Sequence, residues 1–92
     1  MNRISELLRL PETVIVDVRG PEEFKTGHVA KSINIPLNEL NNRIDEFKHM
    51  QNIIVCCASG VRSQIAGRVL KQNNIECIDG GSWLDINRYS NN

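Results

Sequence analysis

The sequence carries no excess of charge of either sign. Eleven Lys and Arg balance eleven Asp and Glu over 92 residues, giving a formal net charge of zero. A dedicated nucleic-acid binder normally has a basic excess, so that class is disfavoured, although a local positive patch is compatible with the balance. Long apolar runs are missing as well, and none approaches the length that crosses a bilayer. The opening stretch "MNRISELLRLPE" lacks the apolar core of a secretory signal, because Glu6 and Arg9 interrupt its leucines. The expected location is therefore the cytoplasm. Cysteine is scarce and odd in number: Cys56, Cys57 and Cys77. Three thiols in a cytosolic chain do not make a disulfide framework. Cys56 and Cys57 are adjacent, and His28 and His49 lie in unrelated segments, so zinc-ligand spacing is absent too. No metal and no organic cofactor is expected. Internal repeats, low-complexity segments and linkers are also lacking.

What remains is the composition of one compact soluble domain spanning residues 1–92. The chain is 40% hydrophobic and 24% charged, enough apolar material for a single core. Periodicity along it alternates between two patterns. "ISELLRL" reads as a short helix with Ser5 as N-cap, ended by Pro11. "TVIVDV", residues 13–18, is a near-continuous β-branched run, the mark of a strand buried on both faces. In "GPEEFKTG", Pro21 suits a first helical position and Gly27 a helix stop. "SINIP" alternates as a short strand. Leu37, Leu40, Ile44 and Phe47 recur at three and four residues, predicting one amphipathic helix. "NIIVCC" is a second buried strand. "SQIAGRVLKQNN" predicts a helix with Ile65, Ala66, Val69 and Leu70 on one face, stopped in left-handed geometry at Asn73–Asn74. "IECI" reads as the last strand, "DGGS" as a turn, and "WLDINRYS" as a closing helix that frays into a polar tail. Alternating strands and helices imply an α/β fold of three layers, a central parallel sheet with helices on both faces. Ligands of such sheets bind outside the carboxyl ends of the strands.

Two strand ends carry polar residues. One holds Asp17 and Arg19; the other holds Cys57, followed by "ASGVR" and a helix expected near Ser63. Small residues and Gly60 let such a loop fold tightly with its N–H groups turned inward. A helix start adds unpaired N–H groups and a positive dipole end. A thiol there ionises more readily than free cysteine, whose pKa is ~8.5. The residues therefore describe either an activated nucleophile in an anion cradle or a small apolar residue closing a strand. Cys56 points to the opposite face and reads as core, as does Cys77.

"CASGVRS", preceded by "IIV" and followed by a helix, resembles the active-site loop of rhodanese-like domains, the thiosulfate sulfurtransferases. "VDVRGPEEFKTGHVAKSINIPL" resembles that family's Asp-x-Arg, Glu-Phe, Gly-His-Val and Asn-Ile-Pro sequence, and "DGGSW" its glycine pair and tryptophan. The matches run in order from Val14 to Trp83. The resemblance implies that Cys57 takes a sulfane sulfur from a small anionic donor, such as thiosulfate or a persulfide. It then passes that sulfur, through a Cys57 persulfide, to a thiol or cyanide acceptor. Ala58, Ser59, Gly60, Val61 and Arg62 would form the loop whose N–H groups hold the terminal sulfur, with Arg62 attracting the donor. A protein persulfide partner is compatible with the same loop, and so is a non-enzymatic persulfide carrier. Phosphatases on this fold use Cys-x5-Arg around a larger phosphate; Cys57 to Arg62 is Cys-x4-Arg, which favours a single sulfur over phosphatase or arsenate reductase chemistry.

Supporting roles follow at the same edge. Asp17 either accepts hydrogen bonds from the loop or Arg62, or pairs locally at its strand end. Arg19 is expected to pair with Glu22 or Glu23. Ser59 and Ser63 either donate hydroxyl hydrogen bonds to the sulfur or cap the helix, and capping is the expectation for Ser63. His28 is not expected to act as a base, since an ionised thiolate needs none. His49 reads as surface and Trp83 as a core or rim anchor. One departure stands out: where the family usually has Gly-Ala after "GHVA", this chain has Lys31–Ser32, so the local backbone is expected to differ if that glycine serves a positive-φ turn.

Overall fold

The computed structural model of the chain describes residues 3–90. The last residues of the expected polar tail and the first two of the sequence lie outside that range. Four strands, β1 (Thr13–Asp17), β2 (Ile33–Asn34), β3 (Gln51–Cys57) and β4 (Cys77–Ser82), form one sheet in the order β2-β1-β3-β4. Every pairing is parallel. Asp17 lies opposite Cys56, and Cys57 opposite Ser82, so the polar strand ends gather along one carboxyl edge.

Helices cover both faces. Over one lie a 3-10 helix (Leu37–Arg43), α3 (Ile44–Phe47) and α4 (Val61–Gln72). Their Leu40, Phe47, Ala66 and Leu70 pack with Val16, Val55 and Cys57. Over the other lie α1 (Arg3–Leu8) and α5 (Trp83–Ser90), whose Leu7 and Ile86 pack with Ile15, Ile54 and Cys56. A fully buried Leu, Ile or Phe contributes about 1.5–3 kcal/mol, so these two clusters hold the sheet between its layers. The helix α2 (Pro21–Thr26) has no fully buried residue and stands at the carboxyl edge beside Arg19 and Arg62.

Several local expectations change. Ser5 sits inside α1 rather than at its start. The single helix expected from Leu37 is a 3-10 turn followed by a one-turn α-helix. Asn38, Asn41 and Asn42 are weak helix formers, and the three-residue step from Leu37 to Leu40 suits a 3-10 period as well as an α period. Ile65, expected in the core, is 40% exposed. "DGGS" continues β4 instead of turning. Asn74 has φ +61, the expected left-handed stop. Lys31, where the family pattern usually has glycine, is left-handed with φ +68. A lysine bears the strain of that conformation, about 1–2 kcal/mol.

Candidate active site

Strand alternation sends Cys56 and Cys57 to opposite faces of β3. After Cys57 the exposed Ala58 and Ser59 lead to Gly60, whose φ of +106 is open to glycine and strained for other residues. This left-handed residue is the N-cap of α4, so the helix begins at Val61, two residues earlier than the sequence suggests. The early start aims first-turn amides at the sulfur. The Gly60 N–H donates to Cys57 Sγ at 3.0 Å and the Ser63 N–H at 3.3 Å. Such N–H groups have no carbonyl partner within their own helix, which leaves them free for an anion.

The two neighbouring thiols respond in opposite directions. At Cys57, burial pushes the thiol up. The Ser63 N–H and hydroxyl, with the Gly60 and Arg62 N–H groups, outweigh it, and the net pKa falls. Burial pushes the Cys56 thiol up to about 12, helped by the negative charge of Asp17. Cys77 is half-buried, and burial and then Asp79 also raise its thiol. Residue 57 has no exposed surface. An open cleft of about 440 Å³ adjoins its loop, lined by Ser59, Gly60, Val61, Gln64, Asp79 and Gly80. A larger groove of about 920 Å³, between α1, α4 and β4, holds none of the residues 57–62.

Around the loop the charges are paired. Asp17 takes the local alternative: it accepts from the Arg19 backbone N–H at 3.0 Å and from the Arg19 guanidinium at 2.7–2.9 Å, fully buried. Arg19 therefore pairs with Asp17 and not with Glu22 or Glu23. It also donates to the Gly27 carbonyl at 2.7 Å and lies 4.7 Å over the Trp83 ring, tying β1, α2 and α5 together. Arg62 is not free at the mouth. Its two terminal nitrogens donate to Glu23 at 2.7 and 2.9 Å. Hydrogen bonding to Arg62 and to the Gly20 N–H holds the Glu23 carboxyl down at about 2. Ser63 does not cap α4. Its hydroxyl lies 2.7 Å from Asp79 Oδ1 and 3.1 Å from the Gly60 carbonyl, and it also helps to lower the Cys57 thiol. One hydroxyl proton serves one of these acceptors at a time. His28 is exposed and stacks on Phe24 at 3.7 Å, with Nδ1 2.6 Å from the Phe24 carbonyl.

Sequence reasoning passed over Glu23 as a partner of Arg62, and Asp79 altogether. The rule that ligands gather at the carboxyl edge of a parallel sheet marks Asp79, late in β4, as a candidate. No local pattern marks Glu23, which meets Arg62 across 39 residues.

Comparison with known proteins places this geometry in a family. A family model described as "Rhodanese-like domain" matches residues 2–83. A putative mitochondrial thiosulfate sulfurtransferase of Schizosaccharomyces pombe is 33% identical over 88 residues, covering 79% of this chain and 62% of that protein. A tRNA uridine(34) hydroxylase of Buchnera aphidicola is 34% identical over 87 residues, covering 85% of this chain and 28% of that protein. The chain thus spans less than two thirds of the length of either relative. A solved structure described as "rhodanese with anions from E. coli" superposes with a TM-score of 0.73 at 30% identity, covering 79% of this chain and 89% of that one. Among the described residues no helix is long and apolar enough to cross a membrane.

Proposed function

The chain belongs to the rhodanese-like domain family, and from that premise we propose that it is a sulfurtransferase working through a persulfide on Cys57. The observation that carries the reading is the convergence of the Gly60 and Ser63 N–H groups on Cys57 Sγ, with a thiol pKa below the ordinary value. A thiolate attacks an S–S bond best when it is ionised yet still nucleophilic. With thiosulfate, Cys57–S⁻ bonds to the outer sulfur, the S–S bond of the donor breaks, and sulfite leaves with its electron pair. The product persulfide carries a negative terminal sulfur, which residues 58–62 hold by backbone N–H groups. A thiol or cyanide acceptor then attacks that sulfur and releases the Cys57 thiolate. Each transfer exchanges one S–S or S–C bond for another and needs no metal or organic cofactor.

Residue 57 has no exposed surface and lies beneath the loop that borders the open cleft. A second reading, in which the same loop carries a persulfide delivered by a partner protein and turns over small donors negligibly, is supported by a putative sulfur carrier protein of Bacillus subtilis that is 36% identical over 62 residues. Residues 1–92 act as one domain in both readings. The three free thiols support placing it in the reducing cytoplasm.

Intact-mass measurement after thiosulfate treatment tests the proposal. The protein should become one sulfur atom heavier, reversibly by cyanide or dithiothreitol. Cys57→Ala should take up none, and Cys56→Ala should take up as much as the parent. Loading by a persulfidated protein but not by thiosulfate would select the carrier. Uptake that survives Cys57→Ala would refute the assignment. Hydrolysis of an aryl phosphate dependent on Cys57 would restore the phosphatase alternative.

A further inference from the structure

We propose that Glu23 selects among sulfur donors: it occupies the guanidinium fork of Arg62 as an internal anion, and so disfavours dianionic donors relative to organic persulfides. The inference rests on the sulfur-transfer reading above. Both terminal nitrogens of Arg62 are engaged, one on each carboxylate oxygen of Glu23, at 2.7 and 2.9 Å. That parallel arrangement is the one a guanidinium offers to any planar or tetrahedral oxyanion, including the sulfonate end of thiosulfate. Glu23 is held in place by a third hydrogen bond, from the Gly20 N–H at 3.1 Å. Its carboxyl is held down at about 2, so Glu23 stays ionised at every physiological pH.

The other cation at this edge offers no substitute. Arg19 is buried against Asp17, the Gly27 carbonyl and the Trp83 ring. Asp17, Arg19, Glu23 and Arg62 therefore sum to zero charge beside the thiol, to which Asp79, at the Ser63 hydroxyl, adds a negative one. Thiosulfate brings two negative charges to a thiolate and must expel Glu23 to gain the fork. An organic persulfide, RSSH, makes no such demand. Cys57–S⁻ bonds to its outer sulfur, the RS–SH bond breaks, and RS⁻ leaves as a thiolate, giving Cys57–SSH. The persulfide proton then goes to water, and the loop N–H groups hold the anion. Glu23 acts through Arg62 and touches no reacting atom, so it is a positioning residue.

The test separates charge from structure by comparing two alkylating reagents at Cys57, iodoacetate and neutral iodoacetamide. In Glu23→Gln the iodoacetate-to-iodoacetamide rate ratio should rise about tenfold, because a nearby unpaired cation favours the anionic reagent. Against Arg62→Gln, adding Glu23→Gln should leave the ratio unchanged. A purely structural role would move both reagents alike and leave the ratio where it was. In parallel, kcat/KM for thiosulfate should rise about tenfold in Glu23→Gln, and that for cysteine persulfide less than about twofold. Glu23→Ala repeats the test should the Gln variant fold poorly. An unchanged ratio in both variants, or an equal rise for both donors, would overturn the proposal. A raised ratio in a protein that takes sulfur from neither donor would keep the role of Glu23 at Arg62 and discard the sulfur-transfer reading.

Discussion

Cys56 and Cys57 are neighbours in sequence and opposites in environment. Cys56 enters the cluster with Ile15, Ile54 and Ile86, where its thiol is held neutral up to about pH 12. Cys57 also packs among core residues, yet the first turn of α4 directs two N–H groups at its sulfur and its thiol titrates lower than usual. Both residues have zero exposure. Surface exposure therefore does not separate the inert thiol from the activated one: Cys56 is the more strongly desolvated, and only Cys57 has backbone N–H dipoles aimed at its sulfur. A strand supplies the division by sending successive side chains to opposite faces. A helix that starts immediately after the strand completes it on one face only.

The comparison can be strained first on the Cys56 side. A Cβ added at Gly80 would lie 2.8 Å from Ile86 Cδ1, 2.9 Å from Ile54 Cγ2 and 3.1 Å from the Val55 carbonyl oxygen. Gly80→Ala should destabilise the fold by about 1–3 kcal/mol in denaturant melts, through overpacking of that face. The titration of Cys57, across the sheet, should stay where it is.

The alkaline limb of stability sharpens the contrast next. A thiol whose folded pKa is raised stays protonated in the native state while the unfolded chain has lost its proton. Stability therefore falls as pH rises from the unfolded value toward about 12. One such group gives a slope of about 1.4 kcal/mol per pH unit. Cys56→Ala should flatten the alkaline decline by about that slope, and an unchanged slope would mean that Cys56 is not held neutral by the fold. Cys57, with its lowered pKa, acts in the opposite sense: its contribution is present above the unfolded pKa and lost as pH falls through the folded one.

The smallest effect expected is that of Ser63→Ala. Loss of its hydroxyl removes one of the groups favouring the Cys57 thiolate, so the labelling midpoint of Cys57 should move up while Cys56 stays silent. Stability should change by no more than about 0.5–1.5 kcal/mol, the value of an ordinary hydrogen bond. A midpoint that does not move would assign the hydroxyl wholly to Asp79.

The sheet and the position of its thiol were legible because they depend on patterns close in sequence. β-branched runs gave β1 and β3, and strand alternation divided Cys56 from Cys57. The features that escaped depend on side chains brought together from afar, or on backbone choices with no strong residue signal. Arg62 reads as a free cation until α2 places Glu23 against it. Ser63 reads as a cap until Gly60, by turning left-handed, takes that position and leaves the Ser63 hydroxyl to Asp79. Lys31 holds a turn that its side chain disfavours, because the surrounding chain fixes the path. The 3-10 segment shows the same limit, since apolar spacing alone does not separate its period from that of an α-helix.

The most direct measurement is the pH dependence of iodoacetamide labelling, resolved by mass spectrometry for each cysteine of the folded protein. The account predicts a Cys57 rate that reaches half its plateau below the ordinary cysteine value of ~8.5, with Cys56 unlabelled throughout. A Cys57 midpoint at or above that value would contradict it.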